Sequence, residues 1–216
     1  MEPERTAGTR SCTVAVLAGG RSRRFGSDKA LARLDGRTLL DIVLGRFRGH
    51  FAELLLVVDQ LDRFPVAPDV RVAADRFPGC GPLGAIHAAL EEAAHPLVAC
   101  CTVDAPFVEP ALLLRLTTAL DGGAAAAIFV RDGFRHPFPC LLVRDACLAP
   151  ARAILRRHAA AGDCRAAGAR APKVLDLFDA VALALVPAPT LPCPAVDPLT
   201  DVDMPDDLAR LAGKPR

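Results

Sequence analysis

The chain has almost no net charge: 26 lysines and arginines stand against 25 aspartates and glutamates, leaving +1. A protein so balanced has no global field to draw in nucleic acid or an anionic membrane, so a cluster of cations in it serves a local site and a small anionic ligand. Long apolar runs are missing too. None reaches the about eighteen residues that a membrane span requires, and residues 1–11 are polar and charged, without the apolar core of a secretory signal. These absences set the expectation of a cytoplasmic protein with neither a membrane nor a nucleic-acid partner.

Cysteine is present without a pattern. The eight cysteines, at 12, 80, 100, 101, 140, 147, 164 and 193, form no Cys-x-x-Cys pair, and the five histidines do not bracket them at zinc-ligand spacing. Most lie inside apolar segments, and the expectation is free, mainly buried thiols that behave as small hydrophobes. No internal repeat of useful period is visible, and the Ala-rich patches at 123–127 and 166–171 read as compositional bias.

What is present is enough apolar residue for one sizeable core: 216 residues, 52% hydrophobic. The expected organisation is a flexible segment over 1–11 and one domain over 12–216. Apolar runs at 12–17, 54–58, 70–74 and 97–103 alternate with helical patterns near 38–48, 83–94 and 111–120, which predicts βαβ units and a mainly parallel sheet. Thr38 is placed to cap the first helix and Pro110 suits the first turn of the third. Further strands are expected at 125–130, 138–143 and 181–185, a helix over 146–160, and a last helix after Pro205. Five prolines between 186 and 198 forbid a helix or a central strand there and read as a surface connection.

Residues 17–29, Leu-Ala-Gly-Gly-Arg-Ser-Arg-Arg-Phe-Gly-Ser-Asp-Lys, close the first apolar run. A strand that ends in glycines and cations suits a phosphate: Gly19 and Gly20 permit close approach that a Cβ blocks, so successive N–H groups can point at anionic oxygens. Arg21, Arg23, Arg24 and Lys29 add charge. Lysine is scarce, occurring only at 29, 173 and 214, and its use at 29 fits a compact, single-point cation on a phosphate oxygen. Two familiar phosphate loops fail on spacing. Five residues separate Gly20 from Gly26 and Ser27 follows, which breaks the P-loop pattern, and the dinucleotide Gly-x-Gly-x-x-Gly cannot be fitted from Gly19.

The same stretch resembles the nucleotidyltransferase signature Leu-Ala-Gly-Gly-x-Ser-x-Arg-Met-Gly-x-Asp-Lys, most closely that of the molybdenum cofactor guanylyltransferase (MobA) family, with only Phe25 departing, in place of Met. Similar segments follow in order. Val103-Asp104-Ala105-Pro106-Phe107 resembles the family's Cys-Asp-x-Pro-Phe/Tyr, and Gly81-Pro82-Leu83-Gly84-Ala85 is similar to Gly-Pro-Leu-Ala-Gly. His136-Pro137 matches a His-Pro before a core strand, and Asp201-Val-Asp-Met-Pro-Asp-Asp-Leu208 resembles Asn-Ile-Asn-Thr-Pro-Glu-Asp-Leu. The likeness spans residues 12–40, 75–85, 97–107, 136–143 and 201–208, whereas 144–200 matches loosely.

The resemblance implies a three-layer α/β/α Rossmann-like nucleotidyltransferase fold, GTP and molybdopterin or molybdenum cofactor as substrates, and Mg²⁺ as the metal. It also implies a protein that inserts or hands over the labile product. Carried over residue by residue, it assigns nucleotide contacts to Leu17, Ala18, Gly19, Gly20, Lys29, Asp59, Asp75 and Asp104. Asp104 would hold the metal, and Asp104, Lys29 and Arg24 would carry the chemistry.

The residues support part of this by themselves. In open α/β sheets ligands sit at the carboxyl ends of strands, and Asp59, Asp75 and Asp104 each leave a predicted strand. A carboxylate beside a triphosphate is a natural Mg²⁺ ligand, since that ion takes one or two carboxylates and completes its shell with water and phosphate. Simpler readings stand beside each assignment: Asp104 before Ala-Pro suits a turn, Gly81-Pro82 suits a helix start, and the acidic turn after Pro205 suits the helix dipole, with Asp203 a conceivable metal contact. Asp59 aligns where the family carries Asn. It can accept from guanine N1 and N2 but cannot donate, so either it faces the base edge or the contact is lost. His136 could meet the second substrate or be structural, and Arg131, Arg135 and Arg165 could recognise its anionic group or stay solvated.

The expected reaction is attack of the acceptor's terminal phosphate on the α-phosphorus of GTP. Cytidylyl transfer to the same acceptor and nucleotidyl transfer to a sugar or polyol phosphate are the nearest alternatives; a noncatalytic nucleotide-binding regulatory module is the alternative of another class.

Overall fold

The computed structural model describes residues 11–19, 28–160, 171–189 and 196–212. Gly20, Arg24 and Arg165, with Cys164 and Cys193, lie outside the described residues. In chain order the elements are β1 (Cys12–Leu17), β2 (Arg33–Leu34), β3 (Arg37–Thr38), α1 (Leu39–Phe47), β4 (Glu53–Val58), β5 (Val70–Ala74), α2 (Pro82–Glu92) and β6 (Leu97–Thr102). Then come α3 (Pro110–Thr118), β7 (Ala126–Arg131), β8 (Phe134–Val143), α4 (Arg144–Ala160), α5 (Val174–Phe178), β9 (Leu183–Pro187) and α6 (Pro205–Leu211).

Seven strands form one sheet in the order β5-β4-β1-β6-β8-β7-β9. All neighbours pair in parallel except β8, which runs antiparallel to both β6 and β7. β1 is buried along its whole length because both faces of the sheet are covered. Val14 and Val16 join one apolar cluster with Leu39 and Phe47 of α1 and Leu113 and Leu116 of α3. Ala15 and Leu17 join the other, with Leu83, Ile86 and Leu90 of α2, Leu155 of α4 and Phe178 after it. The expected three-layer α/β/α arrangement with a mainly parallel sheet is therefore what the chain adopts. No helix among the described residues is long and apolar enough to cross a membrane.

The caps agree with the sequence. Thr38 Oγ1 accepts from Asp41 N at 3.0 Å, and Pro82, Pro110 and Pro205 open their helices, where the missing N–H would have no intrahelical partner. Several boundaries differ. β8 begins at Phe134, ahead of the expected 138, because Asp132 (φ 51°) and Gly133 (φ 77°) make a tight hairpin with β7. Pro137 and Pro139 lie where the register jumps between the pairs Ile128–Cys140 and Phe129–His136, so the ladder asks neither for an N–H. A second Asp-Gly turn, Asp35 (φ 50°) and Gly36 (φ 80°), makes the β2–β3 hairpin, which the sequence reading passed over. β9 sits two residues later than expected and carries Pro187, which an edge strand tolerates.

The expectation of free thiols holds for Cys12, Cys100, Cys101, Cys140 and Cys147, all buried. Burial pushes the Cys12 and Cys147 thiols up to about 12, which leaves them inert. It fails at Cys80, which is disulfide-bonded. Sequence spacing could not show this, because pairing depends on which Cα atoms the fold brings together.

Candidate active site

The parallel neighbours β4, β1 and β6 end side by side, and their carboxyl ends bring Asp59, Gly19 and Asp104 to one edge of the sheet. Leu17 and Ala18 are buried there and spend backbone groups on the ladder: Ala18 N donates to Val57 O at 2.9 Å and Leu17 O accepts from Val103 N at 3.1 Å. Gly19 comes next. A Cβ on it would meet Asp59 N at 3.8 Å, ordinary contact, so packing among the described residues does not demand glycine.

Lys29 opens a single 3-10 turn, Lys29–Leu31, capped by Asp28 through Ala30 N. Its Nζ donates to Asp104 Oδ2 at 2.8 Å and to Asp203 Oδ1 at 3.3 Å. Thus residues 75 and 174 positions apart meet at one ammonium. The contact is made possible by Val202 N donating to Asp104 O at 2.8 Å, which draws the segment before α6 onto the exit of β6. Burial works against the Lys29 charge, but the hydrogen bonds and charges of Asp104 and Asp203 prevail and raise its pKa. Asp104 Oδ1 is buried and has no hydrogen-bond partner among the described residues. Desolvation, with the Asp104 and Asp203 charges and against Lys29, pushes the Asp201 carboxyl up to about 7, although its side chain still reaches solvent. Two carboxylates thus share one ammonium with a third carboxyl nearby, a concentration of acidic groups that a cation would relieve. Among the described residues no group of three or more metal-binding side chains is arranged to hold an ion. That fits an ion held by one or two carboxylates and completed by a substrate's phosphates and water.

Asp59 does not stand free. Arg63 Nη1 donates to Asp59 Oδ1 at 2.5 Å, while Arg63 Nε and Nη2 reach Asp28 Oδ2 at 3.0 and 2.8 Å. Burial opposes the Arg63 charge, and the bonds to Asp59 and Asp28 raise its pKa nonetheless. Sequence reasoning missed Arg63. Its only signal was the spacing of four from Asp59, which carries weight on a helix and little in a loop.

Asp75 extends the β4–β5 pairing, its N donating to Val58 O at 2.8 Å, and its Oδ1 accepts from Phe77 N at 2.7 Å. Burial raises its pKa; the Phe77 bond counters this and the charge of Asp59 adds to it. Gly84 lets the first turn of α2 come close to the exit of β5. A Cβ there would stand 2.8 Å from both oxygens of Asp75 and 3.0 Å from Phe77 O, so the glycine makes room for the Asp75 carboxylate over the first turn of α2. Gly81, at φ +67°, adopts a conformation that disfavours any side chain.

Across the edge, Arg131 and Arg135, which could recognise a second substrate or stay solvated, are part-exposed and ion-paired. Arg131 pairs with Asp197 and donates to Pro189 O at 3.2 Å, and Arg135 pairs with Asp179 at 2.6 Å. Burial would raise Asp197, yet Arg131, Leu199 N and His136 hold it below the usual carboxylate range. His136 thus lies on the same rim beside a charge already neutralised by Arg131.

Comparison with known proteins places this geometry. Residues 14–172 match the MobA-like NTP transferase domain. A probable molybdenum cofactor guanylyltransferase of Methanothermobacter thermautotrophicus is 38% identical over 109 residues, 48% of this chain and 55% of the relative. A molybdenum cofactor guanylyltransferase of Rhizobium leguminosarum bv. trifolii is 40% identical over 139 residues, 60% of this chain and 64% of the relative. The chain therefore spans between half and two thirds of the length of these two relatives. In fold it resembles the molybdopterin-guanine dinucleotide biosynthesis protein A of Archaeoglobus fulgidus, with a TM-score of 0.73 at 24% identity over 92% of this chain and 96% of that one.

Proposed function

The chain belongs to the MobA-like NTP transferase domain family, and from that premise we propose that it transfers GMP from GTP to the terminal phosphate of molybdopterin or molybdenum cofactor, releasing pyrophosphate. The observation that carries this reading is the Lys29 ammonium lying 2.8 Å from Asp104 Oδ2 while Asp104 Oδ1 is buried without a partner among the described residues. The names of the curated relatives supply the base and the acceptor.

GTP lies across the carboxyl ends of β1, β4 and β6, with its triphosphate over residues 17–29. On the sequence pattern, Gly19 and Gly20 are the glycines that let phosphate oxygens approach the backbone, and Arg24 and Lys29 the cations assigned to the charge that grows on the leaving pyrophosphate. Asp104, with Asp203 beside it, fits Mg²⁺, because its free oxygen and the surplus of negative charge call for a cation. When bound, that ion screens the phosphate oxygens and holds them in place. Without nucleotide, Lys29 does the screening; a triphosphate competes for its ammonium and frees Asp104.

The acceptor phosphate oxygen forms a bond to the α-phosphorus as the bond to the β-phosphate bridging oxygen breaks, and the electron pair leaves on pyrophosphate. An ionised phosphate needs no general base, so positioning and electrostatics supply the rate. Asp59 accepts from the base edge, and Asp75 holds the turn into α2 against the nucleotide. The reaction belongs in the cytoplasm, and its product calls for a protein that inserts or takes over the labile cofactor.

Calorimetric titration with GTP, CTP and ATP, each with Mg²⁺, tests the reading. Preference for GTP is expected. Preference for CTP would move the assignment to cytidylyl transfer, and heat from none of the three, with and without molybdopterin, would overturn it.

A further inference from the structure

Arg63 is absent from every motif of the chain, yet it touches two segments of the site at once. Its guanidinium spans Asp59 at the exit of β4 and Asp28 at the end of the glycine-and-arginine loop, and its Cζ lies 5.1 Å from the centre of the buried Phe64 ring. The side chain is held on three sides and is 19% exposed. A planar fork suits this task, since it can donate to two carboxylates in fixed directions where an ammonium would serve as a point charge. Asp28 in turn caps the turn that begins with Lys29.

The consequence for Asp59 is geometric. Its only partner among the described residues is Arg63, on Oδ1; Oδ2 has none, and the side chain is 42% exposed. The carboxylate is pinned through one oxygen and open at the other, and Oδ1 keeps a second lone pair. Two adjacent acceptors match a base that shows two adjacent N–H donors. Guanine does so at N1 and N2, whereas adenine and cytosine place a ring acceptor there, which a carboxylate opposes.

We propose that Arg63 is a positioning residue for base selection: it fixes Asp59 as the acceptor for the N1–H and N2–H₂ edge of guanine and ties that contact to the Asp28–Lys29 step beneath the triphosphate. This rests on the GTP reading above. Arg63 also offsets part of the negative charge that Asp28 and Asp59 would otherwise set near the phosphates.

The test compares dissociation constants for Mg²⁺ complexes of GTP and of ITP, which keeps N1–H and lacks the N2 amino group, in the full chain and in Arg63→Met, Arg63→Lys, Asp59→Ala and the Arg63→Met/Asp59→Ala double variant. Losing one hydrogen bond to a charged group corresponds to about tenfold or more, so the unaltered protein should bind GTP at least about tenfold tighter than ITP. Arg63→Met should bring that ratio towards one and weaken both ligands, with the melting curve still cooperative. Arg63→Lys should recover affinity for both while leaving the ratio low. The double variant should lose little more discrimination than either single one, as expected of two groups acting as a unit.

An unaltered protein that does not favour GTP would overturn the base assignment and this inference together. An unaltered protein that favours GTP, with an Arg63→Met ratio equally high, would overturn this inference alone. Should Arg63→Met fail to fold, Asp59→Ala decides: an unchanged ratio overturns the proposal, a collapsed one supports it.

Discussion

At the amino ends of the strands, Glu53 is closed by its own chain; at their carboxyl ends, Asp104 is not. Glu53 Oε2 accepts from Thr13 Oγ1 at 2.6 Å and from Ala94 N at 2.8 Å, and Oε1 faces Arg71, which also donates to Glu92 O at 3.1 Å. The Glu53 side chain is 8% exposed and nothing of it is left for a ligand. Asp104 shares Lys29 with Asp203, keeps a buried oxygen without a partner among the described residues, and sits near an Asp201 carboxyl pushed up to about 7. Both ends thus carry buried or half-buried carboxylates with a cation beside them. Where both oxygens are met, the charge joins strands together; where one is left open at the carboxyl edge, the charge is available for a substrate's cation or base.

Breaking the open end should cost activity and spare the fold. Asp104→Ala is expected to lower the rate of GMP transfer by about 10²–10³-fold or more while the melting temperature holds, since it removes electrostatic stabilisation used during the reaction. A near-normal rate in a product-release assay would overturn its role. Lys29→Ala should weaken GTP binding by about 10–100-fold and GMP binding less, because the ammonium meets phosphates that GMP lacks. Equal losses for the two nucleotides would place Lys29 elsewhere.

Breaking the closed end should do the reverse. Glu53→Gln leaves buried donors poorly met and should cost about 1–3 kcal/mol of stability without changing GTP affinity. Burial tends to raise the Glu53 pKa, but Thr13, Ala94 N and Arg71 together hold it below its ordinary 4.5. Its contribution to stability is therefore complete above that value and is lost as pH falls through the depressed one. Denaturant melts between about pH 6 and pH 3 should show Glu53→Gln losing less stability on acidification than the unaltered protein. The smallest effect is expected from Arg71→Ala. Its side chain is 52% exposed, and exposed ion pairs contribute about 0–1 kcal/mol. A larger loss would mean that Arg71 closes Glu53 more tightly than its exposure suggests.

Much of the fold was legible because two periodicities were clean. Apolar runs such as 12–17 are too continuous for a half-exposed strand and imply cover on both faces, and Thr38, Pro82 and Pro110 mark helix starts by local chemistry alone. The hairpins at Asp35-Gly36 and Asp132-Gly133 carry a readable Asp-Gly signal, but β2 and β3, two residues each, are too short for an apolar pattern. α5 has five residues, fewer than two helical turns, and no local pattern could establish it.

The site divides in the same way. Sequence alone determined which side chains could serve it: glycines and a scarce lysine after the first strand, and an aspartate leaving each of three more. Those facts are local, since a strand's end and a loop's composition are written in consecutive residues. Tertiary structure decided which of them act on one another. It set Lys29 between Asp104 and Asp203, made Gly84 the space for the Asp75 carboxylate, bound Asp59 to Arg63 and Asp28, and took Arg131 and Arg135 into ion pairs. Each of these depends on distances between residues far apart in the chain, which only parallel pairing and the covering helices bring within a few ångströms.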